Sequence, residues 1–384
     1  MKTLCIEGWR GVNHSIAMVN QNQILEMLKV PGWQIFHRDA PYFLPHWNKA
    51  QLNSGFSAEE QTQLEALPDP GDATMDCCLR IASPVRVGKA GQARRTCTFI
   101  VTEFGPIEAN FDPTGLRPQQ ITAGDDVVVT PSRWARDRLV EWGFGADKVH
   151  VVPHGYKTDV FAPMSPEARQ EARQMLGIAP HETVFSNVGV ATWNKGLDLL
   201  LLAFAQLRVR GLPVRLMIKD HKGLYGIGLE DLYKELARHV PLLNHDAVRG
   251  SICVLSGSLS LTQLRSLYAV SDAYVSPYRA EGFNLPVLEA MGCGTHVIVS
   301  SGGATDDFVP DTLAYRLRTK RRTAQDEPQV PGQFVIPDLD DLIHAMDQVV
   351  QGVQADTGTR QAARAELAQS YSWAAVTRQL MSLL

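Results

Sequence analysis

The chain lacks the features that would place it across a membrane, on nucleic acid or around structural zinc. Its 384 residues contain no run of about 18 apolar residues, which a membrane-spanning helix requires. The net charge of −4 gives no electrostatic reason to bind nucleic acid. The six cysteines show no zinc-ligand spacing. These absences favour a soluble globular protein, for which a hydrophobic content of 45% is ordinary.

The cysteines and the first residues indicate a reducing compartment. Cys5, Cys97 and Cys253 fall in segments that we expect to be buried strands, and we interpret all six cysteines as reduced thiols. The opening residues MKTLCIEG have no apolar stretch or cleavage site, so we expect a strand there and no signal peptide. The predicted location is cytoplasmic, with at most peripheral membrane contact.

A length of 384 residues suits two domains of ordinary size. Strand patterns alternate with helix patterns through the second half, which favours a parallel α/β domain. Pro153, Gly155 and Pro163 indicate a linker between the halves. We therefore predict domains over residues 1–154 and 155–370.

The most informative stretch is EGFNLPVLEAMGCGTHVIVS, from Glu281 to Ser300. Apolar segments at residues 273–276 and 296–299 predict two strands, with a short helix between them. Asn284 suits the N-cap, where its side chain can accept from a free backbone N–H, and Pro286 suits the first turn. A helix N-terminus at the end of a parallel strand is a site for a phosphate. The carboxylates of Glu281 and Glu289 would flank it and accept hydrogen bonds from sugar hydroxyls.

This stretch resembles the E-x7-E signature of the retaining GT-B glycosyltransferases of group 1, the glycogen-synthase-like family. The usual form is close to EGFGLPxLEAMAxGxPVIxS. Asn284 takes the place of the common glycine and His296 that of the common proline. The resemblance implies an α/β fold of GT-B architecture, in which two Rossmann-like domains face each other across a cleft that holds the active site. Residues 1–154 would form the acceptor side, with helix 371–384 packed back on it, and residues 155–370 would bind the donor.

The resemblance also implies a reaction. A hexosyltransferase-type enzyme would move a sugar from a nucleotide-diphosphate donor to an acceptor with retention of configuration. The leaving phosphate would accept the acceptor's proton on the same face. No metal and no other cofactor is expected. The acceptor stays open between a glycan, a lipid-linked molecule, a protein and a small molecule.

Most of the expected site residues lie in the second half. Glu281 would hold the donor sugar, Glu289 the ribose, and Lys195 of the family's KG pair the diphosphate. Backbone N–H groups would also contact the phosphates, and they belong to Gly282, Phe283, Asn284 and Leu285. The family's arginine near this site is missing, because Val190 occupies its place. Lys219, at the end of the adjacent strand, could supply the lost charge. Arg279 could also supply it, or could instead pair with Glu281 and orient that carboxylate.

Three residues of the first half complete the expected site. Gly11 matches the second glycine of a family Gly-Gly pair that approaches the donor diphosphate or the acceptor, while Arg10 replaces the first. His14 is either a catalytic residue or a helix-start histidine bonded to backbone. Glu103 stands where the family often has a histidine, and it either orients a hydroxyl or lies on a surface loop.

Two other functions stay open. A nucleotide-sugar epimerase of similar fold would need an acid–base pair, for which His14 and Glu103 are the visible candidates. A catalytically silent nucleotide-sugar-binding protein is the second alternative. The Asp338-Leu-Asp sequence matches a metal signature of another glycosyltransferase fold, but helix capping explains it better. Residues 316–332, which are basic and lack a period, predict a mobile surface excursion.

Overall fold

The computed structural model describes residues 1–47, 55–226, 228–352 and 357–384. They form two compact units. The first unit comprises Met1–Gly155, Gln329–Gly332 and Ser370–Leu384, and the second comprises Tyr156–Pro328 and Gln333–Gln369. Each unit is built on its own six-stranded sheet. The predicted α/β class with two Rossmann-like sheets is therefore confirmed.

The sheet of the first unit is parallel throughout, with strand order β2-β1-β3-β5-β7-β8. Its strands are β1 (Lys2–Gly8), β2 (Trp33–Asp39), β3 (Met75–Ile81), β5 (Ala93–Phe99), β7 (Val127–Thr130) and β8 (Val149–Val151). A separate two-stranded parallel pair consists of β4 (Val85–Arg86) and β6 (Phe111–Asp112). The helices are α1 (Ser15–Met27), α2 (Ala58–Glu65), α3 (Pro118–Ile121) and α4 (Arg133–Trp142).

The second unit has a parallel sheet in the order β11-β10-β9-β12-β13-β14. Its strands are β9 (Thr183–Val188), β10 (Val214–Lys219), β11 (Ile252–Leu255), β12 (Ala273–Ser276), β13 (His296–Ser300) and β14 (Ala314–Leu317). Its helices are α5 (Pro166–Met175), α6 (Leu197–Val209), α7 (Lys222–Tyr225), α8 (Leu229–His239), α9 (Asp246–Arg249), α10 (Leu261–Val270), α11 (Leu285–Gly292), α12 (Leu339–Val350) and α13 (Thr357–Tyr371).

Helix α6 lies at the centre of the second unit's core. Its sequence LDLLLLAFAQLRV is apolar on most of its circumference, as expected for a helix covered on several sides. It packs against α12 and against one face of the sheet, where Phe185, Leu216 and Val275 are fully buried. Each such side chain contributes about 1.5–3 kcal/mol through its removal from water. This core holds the loops at the carboxyl ends of β9 and β12 in place.

The prediction of a mobile surface excursion over residues 316–332 is largely wrong. Strand β15 (Thr319–Thr323) pairs antiparallel with β16 (Gln333–Pro337), and the ring of Phe334 is fully buried. The sequence did not reveal this hairpin, because β15 reads TKRRT without an apolar residue and its partner strand lies beyond a polar turn. Residues 329–332 belong to the first unit, where Gly332 lies against the backbone of Phe104.

The last helix, α14 (Trp373–Met381), belongs to the first unit and packs on α1. Ser372 caps it by accepting a hydrogen bond from the backbone N–H of Ala375 at 3.3 Å. The thiol of Cys77 donates to the carbonyl oxygen of Leu384 at 2.8 Å. These contacts attach the end of the chain to the first sheet. All six cysteines are free thiols, and Cys253 is half-buried rather than buried.

Strand order places one reversal point in each sheet. In the second unit the chain enters at β9, adds β10 and β11 on one side, and then adds β12, β13 and β14 on the other. Open α/β sheets bind ligands outside the carboxyl ends of the strands at such a reversal. The reversal points are therefore β9/β12 in the second unit and β1/β3 in the first.

Candidate active site

Two loops leave the carboxyl ends of β9 and β12 and are bonded to each other. The carbonyl oxygen of Asn194 accepts from the backbone N–H groups of Arg279 at 2.7 Å and Ala280 at 3.3 Å. The side-chain amide of Asn194 donates to the carbonyl oxygen of Ala280 at 3.2 Å. The loop that carries Lys195 therefore lies beside the loop that carries Glu281, at the reversal point of the second sheet.

Lys195 and Glu281 form an ion pair at this point. Lys195 Nζ lies 2.9 Å from Glu281 Oε2, and the two side chains are 21% and 11% exposed. Partial burial strengthens their attraction relative to a surface pair. The structure thus brings together the residue expected to bind the diphosphate and the residue expected to bind the sugar.

Gly196, the second residue of the KG pair, is required by close packing. Its φ is +69°, and a Cβ built on it would lie 1.9 Å from the carbonyl oxygen of Pro277. A side chain at this position would push the two loops apart. Glycine here is therefore a condition for the Lys195–Glu281 contact.

Asn284 occupies the predicted N-cap of α11, but it does not cap in the predicted way. Its φ is +81°, the only positive value at a non-glycine position in the described ranges. Its side chain makes no capping bond and donates instead to Ser276 Oγ at 2.9 Å. Left-handed backbone explains why the family has glycine here, and asparagine tolerates that conformation better than most residues.

The neighbours of Asn284 are held by packing beneath the loop. The Phe283 ring stacks on Phe308 with a centroid distance of 4.6 Å, and Gly282 is buried. Leu285 begins α11 and is half-buried. The Tyr278 hydroxyl lies 2.7 Å from Thr305 Oγ1. The backbone N–H groups of this helix end are therefore carried on a fixed turn.

Glu289 lies within α11 in a different environment from Glu281. The Tyr268 hydroxyl donates to Glu289 Oε2 at 2.9 Å. Burial raises the pKa of Glu289 to about 8, although the Tyr268 hydrogen bond opposes this rise. At neutral pH the group is therefore mostly a neutral carboxylic acid. Such a group can both donate and accept a hydrogen bond.

Glu289→Gln is expected to stabilise the protein increasingly as pH rises from about 4.5 to about 8. In this window the folded state holds a proton on Glu289 that the unfolded state has lost, so the wild-type unfolding free energy falls with rising pH. Glutamine does not titrate. Thermal melts of both proteins across this range measure the difference in Tm, which should level off above the folded pKa. Glu230→Gln, which removes an exposed partner of Lys234, should show no such gain, and a pH-independent Glu289→Gln difference would contradict the prediction.

Lys219 lies at the carboxyl end of β10, in register with Val188 of β9. The residue is 4% exposed, and its ammonium group donates to the backbone carbonyl of Asp220. Burial lowers the pKa of Lys219, while the Asp220 carboxylate opposes this effect. A carbonyl oxygen does not neutralise a buried ammonium, so an anion at this end of the sheet would stabilise it.

Arg279 pairs with Asp198 instead of Glu281. Its guanidinium binds both carboxylate oxygens of Asp198, at 2.8 and 2.6 Å, and not Glu281. It also donates to the carbonyl oxygen of Trp193 at 2.7 Å. The expectation that Arg279 pairs with and orients Glu281 directly is therefore wrong. Val190, in place of the family arginine, lies two residues beyond β9 and is half-buried.

The first unit holds the remaining expected residues. Gly11 has a φ of +77°, and its N–H donates to Gln21 Oε1 at 3.1 Å. His14 is the N-cap of α1, where Nδ1 accepts from the backbone N–H of Ile16 at 3.1 Å. Arg10 pairs with Asp39 at 2.8 Å. The backbone-bonded alternative for His14 is thus the arrangement observed.

Glu103 follows β5 and is half-buried, and its carbonyl oxygen accepts from Trp134 Nε1 at 2.7 Å. His14 follows β1, and β3 separates these two strands in the sheet. The two residues therefore leave the sheet from strands that are not neighbours.

The Asp338-Leu-Asp sequence is a helix cap, as predicted. Asp338 is the N-cap of α12 and accepts from the backbone N–H of Asp341 at 2.9 Å. Across the described ranges, no group of three or more His, Cys, Asp or Glu residues is arranged to hold a metal ion. No described helix has the length and apolar character to cross a bilayer.

Sequence reasoning missed Tyr268, Asp198 and Trp193. Tyr268 is hidden in the apolar stripe of α10, and its bond to Glu289 joins two helices. Asp198 stands in the first turn of α6, where an acidic residue is expected for its effect on the helix dipole alone. Its position three residues after Lys195 is the local signal that could have placed it near the site.

Comparison with known proteins agrees with this geometry. Residues 168–314 match the family described as Glycosyl transferases group 1. A lipopolysaccharide 1,2-N-acetylglucosaminetransferase of Salmonella typhimurium is 27% identical over 76% of this chain and 77% of its own length. A D-inositol 3-phosphate glycosyltransferase of Actinosynnema mirum is 34% identical over 54% of this chain, and the match spans 48% of that relative. The HepE protein of Anabaena, crystallised with UDP, has a TM-score of 0.63 at 16% identity and covers 100% of this chain and 99% of its own.

The matched segment, the two parallel sheets and the paired Lys195 and Glu281 define a class of protein, the GT-B glycosyltransferases. The match to the group 1 family spans residues 168–314, which include the whole E-x7-E stretch, so the resemblance carried by that stretch is confirmed. Similarity at 16% identity to the solved structure concerns the fold alone.

Proposed function

We propose that the chain is a retaining glycosyltransferase that moves a sugar from a nucleoside diphosphate sugar to an acceptor. The ion pair of Lys195 and Glu281 at the reversal point of the second sheet carries this proposal. Phosphate and sugar hydroxyls need a cation and a carboxylate, and a nucleotide sugar presents both kinds of group within a few ångströms. The second unit would therefore bind the donor, and the first unit the acceptor.

Each residue of the site has a proposed role. Lys195 and the N-terminal turn of α11, from Gly282 to Leu285, stabilise the diphosphate as negative charge develops on it. Glu281 accepts hydrogen bonds from the sugar hydroxyls, and Glu289 binds the ribose. Lys219 supplies the second cation that the family arginine would provide. In the first unit, Gly11, His14 and Glu103 contact the donor or the acceptor.

The chemical step takes place on one face of the sugar. The bond from the anomeric carbon to the diphosphate oxygen breaks, and the acceptor oxygen bonds to that carbon from the same side. The acceptor's proton moves to the departing phosphate oxygen, so a separate base is not required. The enzyme stabilises charge and positions the two reactants.

The donor nucleotide is proposed to be UDP, because the HepE structure of the same fold contains UDP. The acceptor class stays unassigned, since the named relatives act on different acceptors. An epimerase is less favoured, because His14 and Glu103 follow strands that are not adjacent. A silent binding protein is less favoured, because the Lys195–Glu281 pair is intact.

We propose that the reaction needs no metal ion and no other cofactor. The described residues offer no cluster of three or more ligating side chains, and Lys195 and the helix end provide positive charge for the diphosphate. Activity should therefore persist when divalent ions are chelated.

The proposed function predicts that UDP stabilises the protein in the presence of EDTA. A ligand at 100 times its Kd should raise the unfolding free energy by about 2.7 kcal/mol, or Tm by roughly 5–10 °C for domains of this size. A thermal-shift series with UDP, GDP and ADP measures this effect, with inorganic phosphate as the control. A chain that no nucleoside diphosphate stabilises would contradict the function. Stabilisation or turnover that EDTA abolishes and Mg²⁺ restores would contradict its metal independence.

A further inference from the structure

The Arg279 side chain binds two residues of the segment that carries Lys195. Its side chain is 7% exposed and binds Asp198 through two parallel hydrogen bonds. Its guanidinium also lies over the Trp193 ring, with the central carbon 4.6 Å from the ring centroid. A planar guanidinium can make such a paired contact, whereas an ammonium cannot. Arg279 is therefore built into the protein rather than directed at a ligand.

The partners of Arg279 lie on both sides of Lys195, and Arg279 lies two residues before Glu281. Asp198 stands in the first turn of α6 and Trp193 precedes Lys195. The pair thus connects the segment that carries the cation to the segment that carries the carboxylate, next to the place where the two groups meet.

The hairpin β15–β16 supports the same connection. The backbone N–H of Val335 donates to the carbonyl oxygen of Arg279 at 2.8 Å. The ring of Phe334 packs edge-on against Trp193 with a centroid distance of 5.3 Å. Trp193 is therefore held between the hairpin and the Arg279 guanidinium. This packing fixes the side chain on which Arg279 rests.

We propose that the Arg279–Asp198 pair is a positioning device that sets the separation of Lys195 from Glu281. The inference rests on the proposed function, because it concerns how the diphosphate and the sugar are held relative to each other. In this proposal Arg279 and Asp198 do not contact the donor. They act by holding the two loops at the distance at which one donor can contact both Lys195 and Glu281.

The pair should affect turnover more than nucleotide binding. A displacement of about 1 Å in a reacting group can cost roughly 10²-fold in rate. Bare UDP lacks the sugar, so its affinity does not depend on where Glu281 lies relative to Lys195. A residue that bound the diphosphate itself would instead change UDP affinity.

The test uses two conservative variants of the full chain, Arg279→Lys and Asp198→Asn. We expect each to lower kcat for release of UDP from a UDP-sugar, with water as acceptor, by about 10–10²-fold. The Kd for UDP, measured by calorimetry, should stay within about threefold. Arg210→Lys is the matched control, because Arg210 pairs with Asp347 at the other end of α6 at 3.1 Å. This control should leave both kcat and Kd unchanged.

A background lacking Glu281 separates positioning from general damage. In a Glu281→Gln enzyme, Arg279→Lys should cause no further loss, because the group it positions is gone. A crystal structure of Arg279→Lys should show Lys195 and Glu281 beyond ion-pair distance, a measurement that does not depend on activity. The double variant of Arg279 and Asp198 should resemble either single variant.

Three results would overturn the inference: wild-type kcat in both single variants, a UDP Kd that weakens in parallel with kcat, or an unchanged Lys195–Glu281 pair in the crystal. None of them would affect UDP binding by the wild-type chain, on which the proposed function depends. Conversely, a wild-type protein that binds no nucleoside diphosphate would refute the function, while the crystal structure of Arg279→Lys would still decide whether the pair positions the two loops.

Discussion

Replacing Lys219 with alanine is expected to lower turnover by about 10²–10³-fold, the same order as Lys195→Ala. Family members direct two cations at the diphosphate, and here Val190 stands in the place of one. Arg279 is bound to Asp198, so Lys219 is the remaining candidate at this edge of the sheet. Steady-state kinetics of both variants, with folding checked by circular dichroism, measure the effect.

Burial of Lys219 supplies a second observable. Because burial lowers the pKa of this ammonium group, a bound diphosphate should raise it again and draw a proton from solution at alkaline pH. Calorimetry in buffers of different ionisation enthalpy measures the number of protons taken up on binding. Lys219→Arg should bind UDP without the uptake, since arginine stays charged throughout.

Lys222→Ala is the matched control for Lys219. Lys222 lies three residues away and pairs with Asp231 at 3.2 Å, with both side chains about half exposed. Its loss should leave turnover unchanged. A Lys219→Ala enzyme with near-normal activity and no change in proton uptake would assign the diphosphate to Lys195 and the α11 turn alone. Arg279 would then be assigned the role of second cation only if Arg279→Ala weakened UDP binding.

Glu281→Ala and Glu289→Ala are expected to affect different properties, namely turnover or sugar discrimination in the first and UDP affinity in the second. Because Glu289 is mostly uncharged at neutral pH, loss of its hydrogen bond should cost roughly 0.5–1.5 kcal/mol, or about 2–10-fold in affinity. Glu289→Ala should weaken bare UDP by this amount, because the ribose is part of UDP. Glu281→Ala should spare UDP affinity and reduce turnover or discrimination among sugars. Titration calorimetry and kinetics with several UDP-sugars measure the two effects.

The environment of Glu289 provides a control for this comparison. Tyr268→Phe removes the hydroxyl that bonds Glu289 while preserving the ring, and should therefore reproduce part of the Glu289→Ala loss. It should have no effect on sugar discrimination. Equal losses of UDP affinity in Glu281→Ala and Glu289→Ala would remove the separate roles.

The parallel sheets and the placement of Lys195 and Glu281 at one sheet edge could be predicted, because local signals specify them. Strand and helix periods, glycine at Gly196 and the E-x7-E stretch all lie in short segments. These signals place two loops at one edge of a sheet, since the carboxyl ends of parallel strands share an edge. The ion pair between Lys195 and Glu281 was not predicted, because it depends on how the two loops pack.

The partners of Arg279 and Asn284 could not be predicted in the same way. Arg279 joins Asp198 through a contact between distant parts of the chain, and no local pattern selects that carboxylate over Glu281. Asn284 suits a helix cap by composition, but its left-handed backbone follows from how the loop packs beneath it. Long-range packing overrides local preference in both cases.

Pairing of Lys195 with Glu281 means that a diphosphate would not meet an isolated cation. Before the donor arrives, the carboxylate already balances the lysine charge, so the diphosphate would join a nearly neutral pair. Glu281 would keep its place beside Lys195 and accept from the sugar hydroxyls. Affinity should therefore depend less steeply on ionic strength than the charge of the diphosphate suggests, because the pair carries little net charge.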